Sequence, residues 1–415
     1  MGSHTLNRKE YQNACWQYWL AGLGILAGTV ILLILLVVVA YAATNFWPNL
    51  GAGAVDLARG IFGDKPVSKV ENFVLSSEDG LKQIQYRLTI TTPVAPWQAI
   101  PLPAQNPADP SSGTISPSPT PEELTNSTFI PEATHSGWLL ENVPALGATQ
   151  GEGQWTPYLR DADGNVVAYR TFLQPDPQRP YATVAVVAFN LQATRLHFVL
   201  GYQEPASKVF ISKPARIPAS DMLAGKILAT FNGGFKTQHG HFGVMLDGVI
   251  LIPPRDGFGT VAIYEDGKVL LGAWGKDIPA SSNMMAWRQN GPLIIQNGQI
   301  NPHTAVTDPQ VWGYTTDGGT ATGRSALGIS PDGSTLYYAV GFNLTLPALT
   351  KAVQDAGAFQ AIQLDINNYY THFEAFTQGS NNQLMVVPLL DQMKGPGDQR
   401  YLTINKRDFF YVTTK

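Results

Sequence analysis

Ala229-Thr230-Phe231-Asn232-Gly233-Gly234-Phe235 is the stretch on which the fold turns, and it runs directly into Lys236-Thr237-Gln238-His239-Gly240-His241-Phe242-Gly243. Lys226 to Phe231 reads as a short buried strand, apolar and β-branched with a single charge at its start. Asn232, Gly233 and Gly234 end that strand in one of two ways. They form an ordinary Asn-Gly hairpin, or they serve a place where positive φ or a close approach to another group is required. In the second case they line a site, with one amide side chain and open backbone N–H groups.

Working outward, three further stretches have a similar grain. Arg288-Gln289-Asn290-Gly291-Pro292 feeds the apolar run Leu293-Ile294-Ile295-Gln296, closed by Asn297-Gly298. Arg324 to Gly333 leads into a strand from Thr335 to Val340, and Ala361-Ile362-Gln363-Leu364-Asp365 follows a helix. In order and spacing these four stretches resemble the phosphodiester glycosidase family, and the resemblance covers roughly Tyr181 to Val412. It implies hydrolysis of a glycosyl phosphodiester or a related envelope glycan linkage. Where the family carries Asp-Gly-Gly-Gly-Ser, this chain reads Asp365-Ile366-Asn367-Asn368-Tyr369, so the acid is kept and the glycines are replaced. Side chains at those positions narrow the space into which a phosphate or sugar would come. A non-catalytic scaffold or accessory subunit of a membrane or envelope complex, built on a degenerate form of the same fold, is therefore the alternative function.

The chemistry of that reaction assigns roles. Cleavage at the glycosidic bond of a phosphodiester needs a group for phosphate charge, a carboxylate for proton transfer or nucleophilic attack, and donors that orient the sugar. On the resemblance, Arg324 takes the phosphate through its planar fork and Asp365 is the carboxylate. A salt bridge and a turn-capping acid are the structural readings of the same two residues. Asn232, Gly233, Gly234, Arg288 and Asn290 are the expected substrate-binding residues, joined by Asn367, Asn368 and His372 if the altered loop binds through side chains. His239 and His241, two apart, would share one side of a strand, but no third ligand accompanies them. No metal site is expected, and the residues name no cofactor.

The chain has 415 residues, 44% hydrophobic and 14% charged, with a net charge of -4. That is ample for a large core, and nothing basic and aromatic is interleaved as nucleic-acid binding requires. The overall charge does not imply attraction to anionic lipid either. Leu20 to Ala42 is an uninterrupted run of apolar and small residues, about 34 Å long as a helix at roughly 1.5 Å per residue. Aromatic residues flank it, and Arg8 and Lys9 place the tail 1–19 on the cytoplasmic side. The expectation is a single-pass anchor with the C-terminal domain outside the cytoplasm; a signal peptide cleaved near Ala42 is the other reading. The single cysteine, Cys15, precedes this run, so the exported part relies on its core rather than on disulfides.

Residues 43–92 form a juxtamembrane segment in which Gln83 to Ile90 alternates apolar and polar and predicts a half-buried strand. Residues 93–136, rich in Pro with Ser, Thr and Ala, predict an extended spacer on which a protein partner would dock. From 137 to 415 the pattern is α+β, mainly antiparallel strands with a few helices. Asp161 to Gly164, Asp247-Gly248 and Asp266-Gly267 mark turns between strands. Pro218 to Gly225 predicts a short helix, and the clearest helix spans Leu346 to Ala356, with Thr345 as N-cap and Gly357 at its C-terminal end.

Overall fold

The computed structural model describes residues 55, 57–88, 93–97, 138–212, 214–305, 312, 319–379, 383–394 and 399–415. The apolar run Leu20–Ala42, the tail before it and nearly all of the Pro-rich spacer lie outside those residues. Among the described residues no helix is long and apolar enough to cross a membrane. The chain divides into two units, Met1–Val67 and Ser68–Lys415, and all the strands belong to the second.

The first element is not the expected strand. Helix α1 (Asp64–Arg87) runs through Gln83 to Arg87, where alternation had predicted extended chain. A five-residue stretch of alternation is also compatible with one helical face: Leu81, Ile84 and Leu88 fall three and four apart, and the lack of Gly or Pro between Leu81 and Leu88 lets the helix continue. The expected helix at Pro218 to Gly225 is a run of turns, too short and Pro-led for a stable second turn.

Among the described residues, eighteen strands build three sheets with antiparallel pairing throughout. An eight-stranded sheet has β1 (Thr156–Arg160), β2 (Val166–Leu173), β3 (Val184–Asn190), β14 (Thr335–Leu344), β13 (Thr322–Ile329), β15 (Gln360–Ile366), β11 (Leu293–Gln296) and β12 (Gln299–Ile300) in that spatial order. A five-stranded sheet follows as β7 (Val249–Ile252), β6 (Val244–Leu246), β10 (Met284–Gln289), β8 (Gly259–Tyr264) and β9 (Val269–Ala273). The third has β17 (Leu384–Pro388), β16 (Phe373–Gln378), β5 (Ile227–Asn232), β18 (Phe409–Thr414) and β4 (Thr194–Val199).

The turn chemistry behaves as its residues dictate. Asp247 and Gly248 both take positive φ between β6 and β7, the conformation a two-residue hairpin of matching twist requires. Helix α2 (Leu346–Asp355) begins at Thr345, whose hydroxyl accepts the Ala348 N–H at 3.3 Å, and ends at Gly357 with φ 106. Its inner face, Leu346, Leu349, Ala352 and Val353, packs on Val184, Val186 and Ala339 of the large sheet. Buried side chains from all three sheets, among them Phe189, Phe231, Leu271, Tyr338, Leu364, Phe373 and Phe410, form one continuous core. That core holds the ends of β5, β10 and β15 and the start of β18 in fixed register, and the polar cluster described next grows from those ends.

Candidate active site

No hairpin forms at Asn232-Gly233-Gly234. The chain leaves β5 in extended form, neither glycine takes positive φ, and a short 3-10 turn follows at Thr237–His239. The glycines serve close approach instead. A Cβ on Gly233 would lie 2.6 Å from the Asp408 carbonyl oxygen, and one on Gly234 would lie 3.0 Å from Arg288 Cζ. The stretch is a junction in which nearly every backbone group is engaged. Gly233 N–H donates to Asp408 O (3.1 Å), Asp365 N–H donates to Gly233 O (3.0 Å), and Arg407 Nη2 donates to Gly234 O (3.0 Å). Phe235 N–H donates to Asn290 Oδ1 (3.1 Å), and Arg288 Nη2 donates to Phe235 O (2.6 Å).

Asp365 lies next to the last residue of β15. Its Oδ2 accepts from Arg407 Nη2 at 2.7 Å and its Oδ1 from the Ile366 N–H at 3.0 Å. Both side chains of this ion pair are 11% exposed, so the carboxylate is nearly but not wholly withdrawn from water. Burial pushes the Asp365 carboxyl up to about 6; Arg407 and Lys236 oppose that shift and Asp408 adds to it. The same neighbouring carboxylates hold the Arg407 guanidinium in its charged form. Its Cζ lies 4.7 Å from the centre of the Tyr370 ring, and its Nε is buried with no protein hydrogen-bond partner.

The other expected residues divide by role. Arg288 is buried and donates through Nε to Asp408 Oδ2 at 2.6 Å, with Nη1 on Gln289 O. Asn290 donates to Gln363 O while accepting from Phe235. Asn232 Oδ1 accepts from Tyr338 Oη (2.7 Å) and from the His372 N–H (3.3 Å), and its amide donates to Ser325 Oγ (2.9 Å). These three residues and the two glycines build the wall behind Asp365; their polar atoms point into the protein. Arg324 is fully buried and donates to the carbonyl oxygens of Leu344 and Thr320, both at 2.8 Å. Two of its three nitrogens are taken up by backbone, and Arg407 is the guanidinium that meets Asp365.

The loop after Asp365 is shaped by its own side chains. Ile366 buries beside Phe235 and Phe242, where the family has glycine. Asn367 has φ 110, its Oδ1 accepts from the Tyr369 N–H (2.7 Å), and Asn368 Oδ1 accepts from the Gly323 N–H (2.7 Å). Both asparagines thus set loop geometry. His372 is buried, with Nε2 3.1 Å from Glu374 Oε1, and Arg400 donates its backbone N–H to the same oxygen at 3.0 Å. Burial drives both groups toward their neutral forms: His372 falls well below its ordinary range and Glu374 rises to about 8. Arg400 closes the loop over Tyr369, with Cζ 4.4 Å from the ring centre and Nη1 on Tyr369 O at 2.7 Å.

His239 stands in the 3-10 turn and His241 is exposed at φ 48, so the two do not share a strand face. Among the described residues no three His, Cys, Asp or Glu side chains converge as metal ligands do. A cavity of about 300 Å³ lies elsewhere, between Gln192, Asp266, Lys268, Asp332 and Lys415, and none of the residues above lines it.

The sequence reading missed Arg407 and Asp408. Their signal is Lys406-Arg407-Asp408, a charged triplet set directly before the wholly apolar and aromatic start of β18. Charges that abut a buried strand must be paired inside the fold or exposed at a site.

Comparison with known proteins bears on this geometry. Residues 225–365 match the phosphodiester glycosidase family. The phosphodiester-glycosidase segment starts just before β5 and ends on Asp365, so it holds the glycine junction, Arg288, Asn290, Arg324 and the carboxylate, while Arg407 comes after it. No curated protein matches the chain in sequence. Among solved structures, the zebrafish N-acetylglucosamine-1-phosphodiester alpha-N-acetylglucosaminidase catalytic domain, auto-inhibited by its pro-peptide, aligns with a TM-score of 0.41 at 14% identity, over 62% of this chain and 87% of that one. A hypothetical protein from Synechocystis aligns at 0.33 and 11% identity over 63% and 64% of the two chains. An exported protein of Burkholderia pseudomallei K96243 aligns at 0.27 and 8% over 56% and 74%.

Proposed function

We propose that the protein is a membrane-anchored, extracytoplasmic hydrolase of a glycosyl phosphodiester or related envelope glycan linkage, with Asp365 and Arg407 at its reacting centre. The observation that carries this reading is the ion pair itself: a carboxylate raised to about 6 by burial, held at 2.7 Å by a guanidinium, at the edge of the phosphodiester-glycosidase segment. A group that titrates near neutrality is suited to accept a proton at working pH. Asp365 takes a proton from water as the water oxygen bonds to the anomeric carbon, and the carbon–oxygen bond to the phosphoryl group breaks. The products are the free sugar and a phosphate monoester. Arg407 and Lys236 lie beside Asp365 and offset the charge that grows on the departing phosphate. The phosphate role read onto Arg324 passes to Arg407 in this account. The anchor is the run Leu20–Ala42, with Arg8 and Lys9 inside.

One observation favours the second reading, a non-catalytic accessory subunit with the same fold. Ile366 fills space against Phe235 and Phe242 where the family's glycine would leave it open. The two readings separate on turnover. Release of sugar from a panel of sugar-1-phosphate diesters by the full chain in detergent, strongly reduced in both Asp365→Asn and Arg407→Ala while circular dichroism stays native, supports the hydrolase. Absence of turnover across the panel supports the accessory subunit.

A further inference from the structure

Helix α1 has one side held by the domain and the other turned to water. Asp79 is buried and receives Arg179 through Nε (2.9 Å) and Nη2 (2.7 Å) and the Tyr181 hydroxyl (2.9 Å). Lys82 donates to Glu78 (2.6 Å) and to Asn343 Oδ1 (2.8 Å). These contacts fix the rotation of the helix about its axis. They leave Val70, Phe73, Leu81, Ile84 and Leu88 outward, each between 54% and 64% exposed. At about 100° per residue these five side chains and Ser77 fall within one arc roughly 80° wide, and they run about 27 Å along the axis. An exposed apolar stripe of that length marks a surface that is covered in use.

The charges beside the stripe select what covers it. Lys69 and Arg87 are exposed on the same flank, one near each end, and Gln85 is exposed on the other. Asp79 is paired with Arg179 of the domain, and Glu78 with Lys82 one turn along the same helix. Two copies paired antiparallel along the stripe would bring Lys69 of one against Arg87 of the other, which is repulsive. An anionic lipid surface takes an apolar stripe bordered by cations favourably. The apolar run Leu20–Ala42 lies upstream in the same chain and would bring the helix to a membrane.

We infer that helix α1 lies in the plane of an anionic lipid surface, with Val70, Phe73, Leu81, Ile84 and Leu88 in the headgroup–acyl boundary and Asp79 holding the domain on its opposite side. The inference is independent of the hydrolase reading.

The test uses the full chain in a Cys15→Ser background, so that a single introduced cysteine carries an environment-sensitive fluorophore. Labels at Phe73→Cys and Leu81→Cys are compared with one at Ser281→Cys, an exposed position between β9 and β10. Each labelled chain is reconstituted into vesicles of phosphatidylcholine and phosphatidylglycerol that contain acyl-brominated lipid, and floated. Floated chain whose labels at 73 and 81 are quenched on the order of twofold more than that at 281, with the difference reduced in Lys69→Glu/Arg87→Glu, is the expected result. Floated chain with all three labels quenched alike overturns the inference while leaving the anchor standing. Chain that does not float overturns it too, as does protection of 73 and 81 by cross-linked second copies in detergent and vesicles alike.

Discussion

Asp365 concentrates the chemistry in one carboxyl group, and its surroundings give the sign of each effect. The proposed role needs the ionised form, so kcat/KM should fall with unit slope as pH drops through about 6, the value to which burial raises this group. Asp365→Asn should lower kcat by on the order of 10²–10⁴ and remove that acid limb. Arg407→Ala deletes the larger of the two opposing charges, the other being Lys236. The carboxyl then rises further, and the acid limb of any residual activity should move to higher pH, which a pH–rate profile reads directly. Arg324→Ala should behave otherwise, because its guanidinium is spent on the Leu344 and Thr320 carbonyls. A lower denaturation midpoint with KM unchanged is expected. At this scale the sequence pointed to the acid and the glycines together, since a Gly-Gly pair after a buried strand points to close approach, and in the structure the Asp365 N–H donates to Gly233 O. It could not show which arginine meets the acid. Arg407 lies 42 residues after Asp365, and their contact depends on the pairing of β18 beside β5.

Strand ends are the element that positions the site, and their tolerances can be tested. Gly233→Ala would set a Cβ against the Asp408 backbone oxygen at 2.6 Å, and neither strand can shift without breaking the pairing of Phe409 with Asn232. We expect loss of folded protein on expression, whereas Gly234→Ala, whose nearest contacts are the movable Arg288 side chain and Asn290, should fold with weakened stability. Arg288→Met strands Asp408 without its partner in a site 2% and 0% exposed, a change worth about 3–5 kcal/mol by urea unfolding. The legible elements were those with local signals. Asp-Gly fixed the β6–β7 hairpin through two positive φ values, and Thr345 with Gly357 bracketed α2. Helix α1 was misread because alternation over a few residues serves a helix face as well as a strand. The burial that decides between them comes from Arg179 and Tyr181, a hundred residues away.

Across the whole molecule, three antiparallel sheets share one core, and that core imposes a pH dependence on stability. Glu374 is held above its ordinary 4.5 at about 8, and Asp365 above its ordinary 3.8 at about 6. Each raised carboxyl contributes stability that is complete below its unfolded pKa and is lost as pH rises through its folded one. The urea midpoint should therefore decline between about pH 4 and pH 8, and Glu374→Gln should lose less of it over the upper half of that window. Composition foresaw a strand-dominated α+β domain because turn residues recur between apolar runs. The division of those strands into sheets of eight, five and five depends on long-range pairing that periodicity does not encode. The most direct test of the central claim is the pH–rate profile for release of sugar from a sugar-1-phosphate diester by the full chain, run beside Asp365→Asn and Arg407→Ala. The account predicts turnover with an acid limb near pH 6, absent in the first variant and displaced upward in the second. Turnover that keeps the same limb in Asp365→Asn would contradict it.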